Sequence, residues 1–179
     1  MHFLISYEKF ILSASFMRII SKNSHFSLHF FSGALFGNNY PLQEGIFTGG
    51  SVDPKHEQFV VNRQGPYAPL HSFSFNRAMN MPGFANPDNP FYKGSAGSAL
   101  TLNLKVKYLP VLYGSAGMIV DDFSRYSSAP VLAEAGVKLN LQSMEFIFPL
   151  YVNRPAPNEK KVAFRFLFTI KANFNLGFL

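Results

Sequence analysis

Two histidines four residues apart, His25 and His29 in HFSLH, have the spacing that puts two metal ligands on one face of a helix. The Glu of an HExxH motif is missing between them, and the surrounding alternation reads as strand, where the pair still shares a face. Two polar residues on a wet strand face explain them as well as a metal does, and His2, His56 and His71 show no ligand spacing. Asp121-Asp122, in VDDFSRYSS, fits either a cation site or a solvated turn. Glu134, Lys138 and Arg165 fall on polar strand faces, where they can pair across neighbouring strands. Gly49-Gly50 and Gly94-Ser95-Ala96-Gly97 are glycine-rich, but neither opens a helix and no Gly-Lys-Ser/Thr follows, which argues against a phosphate cradle. No Ser/His/Asp arrangement is recognisable by spacing. The residues therefore nominate no catalytic, cofactor-binding or metal-binding set, and the information lies in the elements that carry them.

Composition narrows the setting. In 179 residues, 47% are hydrophobic and 21 are Phe, while only 15% are charged, well under the usual quarter. Such a chain is long enough for one domain with a sizeable core, but it has too few charges for an ordinary soluble surface. Cys and Trp are both absent, which removes disulfides, thiolate metal sites and Cys nucleophiles. The net charge of +6 comes from cations scattered singly, with Lys160-Lys161 the one basic pair, so nucleic acid is not an expected partner. No run of about 18–20 uninterrupted apolar residues is present, which excludes a membrane helix and leaves the barrel as the membrane-spanning option. The apolar N-terminus is interrupted by Glu8, Lys9 and Arg18 and lacks a small-residue cleavage site, so a signal peptide is not expected; for an outer-membrane protein that would mean a chain starting inside a longer protein or a truncated start.

The dominant pattern has a period of two. From Val162 to Phe178 every second residue is apolar, with Arg165, Thr169, Lys171, Asn173 and Asn175 between. Leu100 to Tyr108, Val131 to Leu141 and Met144 to Val152 repeat the pattern, with Val111 to Val120 a further strand. His25 to Gly37 alternates Phe26, Leu28, Phe30, Ala34 and Phe36 with a small, polar second face, and Phe10 to Ile20 is a blurred strand. Residues 38–70 and 79–97 lose the period to Gly, Pro, Asn and Asp, with one short strand near Gln58–Asn62 and a second at His71–Arg77. The polar faces carry Gly, Asn, Lys, Glu and Thr, as a lumen would, opposite unbroken apolar faces. Two assignments follow for the chain: an N-terminal strand or truncated start in residues 1–23, and a barrel domain in 24–179 with long loops at 38–70 and 79–97.

SLHFFSGALFGNN, VNRQGPYAPLHSFSFNRAMNMPGF, GSALTLNLKVKYLP, VLAEAGVKLNLQSMEFIFPLYVNRP and KVAFRFLFTI, in that order, resemble the C-terminal barrel-like region of M1-type (gluzincin) metallopeptidase-like proteins of Bacteroidetes. The resemblance covers most of the chain from about Ser24. It implies a bacterial outer-membrane location, a lipid bilayer as partner and an upstream peptidase portion of the same protein. HExxH is absent here, so the resemblance transfers no catalytic residue, no cofactor and no metal ligand. The expectation is an all-β chain, an antiparallel up-and-down β-barrel of about eight strands or the C-terminal part of a larger membrane barrel. It would serve as a membrane anchor or transport-like module and would not itself be catalytic. Two alternatives stand beside it: a soluble β-sandwich or lipocalin-like module binding a hydrophobic ligand, and a hydrolase using His29, Asp121 or Glu134.

Overall fold

The computed structural model describes residues 6–38, 45–49, 59–63, 71–72, 79–86, 88–141 and 144–170. Eleven strands account for most of them: β1 Ser6–Ser21, β2 Ser24–Asn38, β3 Ile46–Phe47, β4 Phe59–Arg63, β5 His71–Ser72, β6 Lys93–Gly94, β7 Ala96–Lys105, β8 Val111–Val120, β9 Leu132–Leu141, β10 Met144–Val152 and β11 Phe166–Ile170. The all-β expectation holds. Nine of the strands form one antiparallel sheet in the order β1-β2-β7-β8-β9-β10-β11-β4-β5, and β3 pairs with β6 beside it.

This order corrects the expectation of a closed up-and-down barrel. Among the described residues β1 and β5 pair on one side only, so the sheet has two edges. The connection after β2 supplies β4 and β5 to the far edge, where β4 takes the side of β11 that β10 leaves open. From β7 to β11, and for β1 with β2, sequence neighbours are sheet neighbours. The strand near Gln58–Asn62 is found at Phe59–Arg63; the one at His71–Arg77 is described only as His71–Ser72.

Connections differ at the two ends of the sheet. Lys22-Asn23 joins β1 to β2, residues 106–110 join β7 to β8, and Gln142-Ser143 joins β9 to β10, all at one end. At the other end the links are long: 39–95 between β2 and β7, 121–131 between β8 and β9, and 153–165 between β10 and β11. Asn153 ties that end together: its backbone N–H donates to Ala133 O at 2.9 Å, its Oδ1 accepts from Ala133 N at 2.9 Å, and its Nδ2 donates to Val131 O at 2.9 Å.

The segment Met79–Ala85 was expected as part of a peripheral loop, and instead it lies across one face of the sheet. Met79, Met81 and Phe84 pack with Phe31 of β2, Ala99 of β7, Ile119 of β8, Leu132 of β9 and Val152 of β10. Ala85 continues onto Tyr113, Ile147 and Leu167. A face built from small and polar residues cannot bury itself, and this segment brings the apolar surface it lacks. Glycines permit the approach: a Cβ on Gly97 would stand 2.6 Å from the Met79 sulfur, and one on Gly83 2.6 Å from Val152 Cγ2.

Candidate functional site

Cross-strand register sorts the side chains into a face covered by Met79–Ala85 and a bare face. On the covered face one row runs Ser15, His29, Thr101, Ser115, Glu134 and Val152, each directly opposite the next on β1, β2, β7, β8, β9 and β10. The next row is Met17, Ser27, Asn103, Tyr113, Gly136 and Pro149. Ser15 Oγ lies 2.6 Å from His29 Nδ1, and Thr101 Oγ1 lies 3.0 Å from Ser115 Oγ. Met79–Ala85, the plug of this face, engages the polar row directly. Its Gly83 N–H donates to Glu134 Oε2 at 2.5 Å, and Ser115 Oγ donates to Asn80 O at 3.4 Å. Glu134 is 3% exposed and Thr101 0%.

The bare face has the opposite chemistry. Rows run Ala14, Phe30, Leu100, Ala116 and Ala133, then Phe16, Leu28, Leu102, Gly114, Ala135 and Tyr151. Leu102 is 46% exposed beside fully buried Thr101, and Leu112, Leu139, Leu141 and Phe36 are likewise exposed. On β1, Glu8 and Arg18 flank Phe10, Leu12, Ala14 and Phe16 of this face. Ten residues of antiparallel strand span about 34 Å. At the tilt of about 45° usual for membrane strands the apolar height becomes about 24 Å, close to the band of about 25 Å of outer-membrane barrels. Aromatic rings mark both ends. Phe36 and Phe123 meet at 5.5 Å and Phe123 stacks on Tyr126 at 5.9 Å beside the long links, and Tyr108 stands exposed in the β7–β8 turn.

The residues singled out from sequence are placed as follows. His25 and His29 share the covered face, opposite Lys105 and Thr101. Among the described residues no group of three His, Cys, Asp or Glu could hold a metal ion. His2 and His56 lie outside the described residues, and His71 pairs its backbone with Asn62. Asp122 caps the 3-10 turn Phe123–Ser128 by accepting from Ser124 N at 2.9 Å, and that hydrogen bond holds its carboxyl below the usual range. Asp121 gives its carbonyl to Ser95 Oγ at 2.7 Å. Gly94 lets β6 approach Val120, where a Cβ would stand 2.4 Å from the carbonyl oxygen, and Gly49 sits against Ala85.

Glu134, Lys138 and Arg165 are all buried on the covered side. Among the described residues Arg165 pairs with Glu159: Nε donates to Oε2 at 2.9 Å, while Nη2 donates to Lys160 O at 2.5 Å. Asn86, just past the plug, donates to the other carboxylate oxygen of Glu159 at 2.9 Å. Lys138 Nζ stands 4.6 Å from the centre of the Tyr113 ring. Glu159 and Asn86 carried no sequence signal; the two methionines and Phe84 inside an otherwise polar MNMPGFANPDN are the trace of the plug. His29 Nε2, Asn103 Oδ1, Tyr113 Oη and Glu134 Oε1 are buried with no hydrogen-bond partner among the described residues. His29 and Glu134 are held apart by β7 and β8.

No protein-family model, curated protein or solved structure matches the chain. The resemblance to metallopeptidase-associated barrels rests on its sequence motifs alone.

Proposed function

We propose that this chain is a membrane-embedded β-sheet, the C-terminal part of a larger barrel, acting as anchor or transport-like module in a bacterial outer membrane. By its sequence motifs it would belong to a larger metallopeptidase-like protein, without being catalytic itself. The observation that carries this reading is the inverted polarity of the sheet: Leu100, Leu102, Leu112 and Leu139 face outward while Thr101, Ser115, Glu134 and Lys138 are buried. Water would favour the reverse arrangement, and lipid favours this one. Strands β7, β8 and β9 are each 10 residues long, within the 9–11 that a tilted membrane strand needs. Short turns at one end and long links at the other follow the same architecture. Glu134 Oε1 and Tyr113 Oη, buried without hydrogen-bond partners among the described residues, suit a polar interior that encloses water. A soluble carrier of a greasy ligand would turn its apolar residues inward. Here the inner face is polar and filled by Met79, Met81 and Phe84.

Leu100 lies at the middle of the 10-residue strand β7, Ala96–Lys105. Leu100→Arg is expected to cost about 2–4 kcal/mol in lipid vesicles, and Leu141→Arg, beside the β9–β10 turn, about 0–1 kcal/mol. Unfolding titrations of vesicle-bound protein measure both. Were the bare face in water, each substitution of an exposed Leu would fall within about 0.5 kcal/mol of neutral and depth would not matter.

A further inference from the structure

The bare face has a recess at the end that carries the short turns. β8 pairs with β9 as far as Val111 opposite Lys138, whereas β9 and β10 continue to Leu141 opposite Met144. The next residue back along the chain from Val111 is Pro110, which has no N–H with which to extend the ladder. The end of β9 therefore overhangs β8, and the β7–β8 turn, residues 106–110, stands beside the overhang without closing it. Between them lies a groove of about 460 Å³, with Tyr108 on the turn side and Leu139, Leu141, Phe146 and Phe148 on the sheet side. That volume is within the roughly 300–1,000 Å³ of small-molecule sites. Phe146 meets Phe168 at 4.9 Å and Phe148 meets Phe164 at 5.8 Å, which braces the floor from the neighbouring chain.

The charge around this groove has one sign. Its charged lining is Lys105 and Lys138, with no acid. Lys105 Nζ donates to Leu109 O at 2.8 Å, which uses one of the three hydrogens of the ammonium. Lys107 is exposed in the same turn, its Nζ 5.1 Å from the centre of the Tyr108 ring. The backbone N–H of Lys107 donates to Ser24 Oγ at 3.1 Å and so fastens this turn to the β1–β2 turn, which carries Lys22. No Asp or Glu occurs from Arg18 to Leu28 or from Leu100 to Leu112. Glu145 of β10 lies opposite Asn140 and belongs to the covered face. An apolar groove with cations at its mouth matches an acyl chain beneath a negatively charged headgroup.

We propose that this groove binds an anionic phospholipid, its acyl chain against Leu139, Leu141, Phe146 and Phe148 and its phosphate beside Lys105 and Lys107. The proposal rests on the membrane reading and adds to it a lipid class and a place. A lysine close to anionic headgroups contributes about fivefold to their binding. The test reconstitutes the full chain into phosphatidylcholine vesicles that all hold the same small fraction of phosphatidylglycerol. Bromine is carried on the acyl chains of that phosphatidylglycerol, or on those of an equal fraction of the phosphatidylcholine. Leu141→Trp, in a chain with no Trp of its own, reports from the groove, and Leu102→Trp reports from the bare face outside it. Brominated phosphatidylglycerol is expected to quench Leu141→Trp about fivefold more strongly than brominated phosphatidylcholine, while the two quench Leu102→Trp alike. Adding Lys105→Gln and Lys107→Gln to Leu141→Trp should bring that ratio close to one. Equal quenching of Leu141→Trp by the two lipids would overturn the proposal and leave the membrane reading standing, as would a preference that survives the loss of both lysines. Absence of quenching at both positions would overturn the membrane reading and the proposal together.

Discussion

Arg165→Ala is expected to destabilise the protein by about 3–5 kcal/mol, the usual consequence of removing one member of a buried ion pair and leaving the other charged. The side chains of Arg165 and Glu159 are 1% and 8% exposed, so solvent screening gives little relief. The guanidinium also holds Lys160 O, and Glu159 receives the amide of Asn86. One residue thus fastens the β10–β11 link, the start of β11 and the chain just beyond the plug. Arg165→Lys keeps the charge but gives up the fork that reaches Glu159 and the carbonyl together, and should recover only part of the loss. Arg165→Met combined with Glu159→Gln, which leaves no charge behind, should be less damaging than Arg165→Ala alone. Chemical denaturation of these variants decides the matter. A double variant as damaged as Arg165→Ala would show that the pair is not the source of the effect.

Phe84→Ala should cost a comparable amount, about 3–5 kcal/mol, as for other fully buried aromatic residues. Phe84 is 0% exposed within the cluster that joins the plug to β2, β7, β8, β9 and β10. Its carbonyl accepts from Thr48 Oγ1 at 3.0 Å, which links the plug to the short β3–β6 sheet beside it. Truncation removes the largest side chain of the segment while Met79 and Met81 stay in place. Phe164→Ala, at a ring 76% exposed, serves as the comparison and should change stability little in micelles. Equal losses at Phe84 and Phe164 would mean that the plug does not hold the covered face.

The period of two gave away β7, β9 and β10 because each has one apolar and one polar face, and the sheet keeps those faces in different surroundings. β1 was blurred for a physical reason: Ile11, Met17 and Ile19 sit on the covered-face side but at an edge that the plug does not reach, so nothing selects polar residues there. The alternation after Val162 promised a continuous strand, yet β11 begins at Phe166. β10 carries a register shift between Pro149 and Tyr151, Val162 makes only an isolated bridge to Tyr151, and Arg165 turns toward Glu159 and Lys160. Residues 171–179, the rest of that expected strand, lie outside the described residues. The arrival of β4 beside β11 is a matter of topology, which periodicity does not encode. Glu134, Lys138 and Arg165 were legible as polar-face residues; the partners Gly83 and Glu159 were not, because they come from irregular segments whose path only the folded chain fixes.

The absence of Trp from the chain allows the central claim, that the bare face meets lipid, to be tested with one reporter. Leu102→Trp places it on the bare face, two residues from the mid-band Leu100, in the full chain reconstituted into vesicles whose acyl chains carry bromine. If the bare face lies in hydrocarbon, emission is blue-shifted and strongly quenched by the brominated chains. Red-shifted emission untouched by bromine, from protein that is fully folded, would contradict the account.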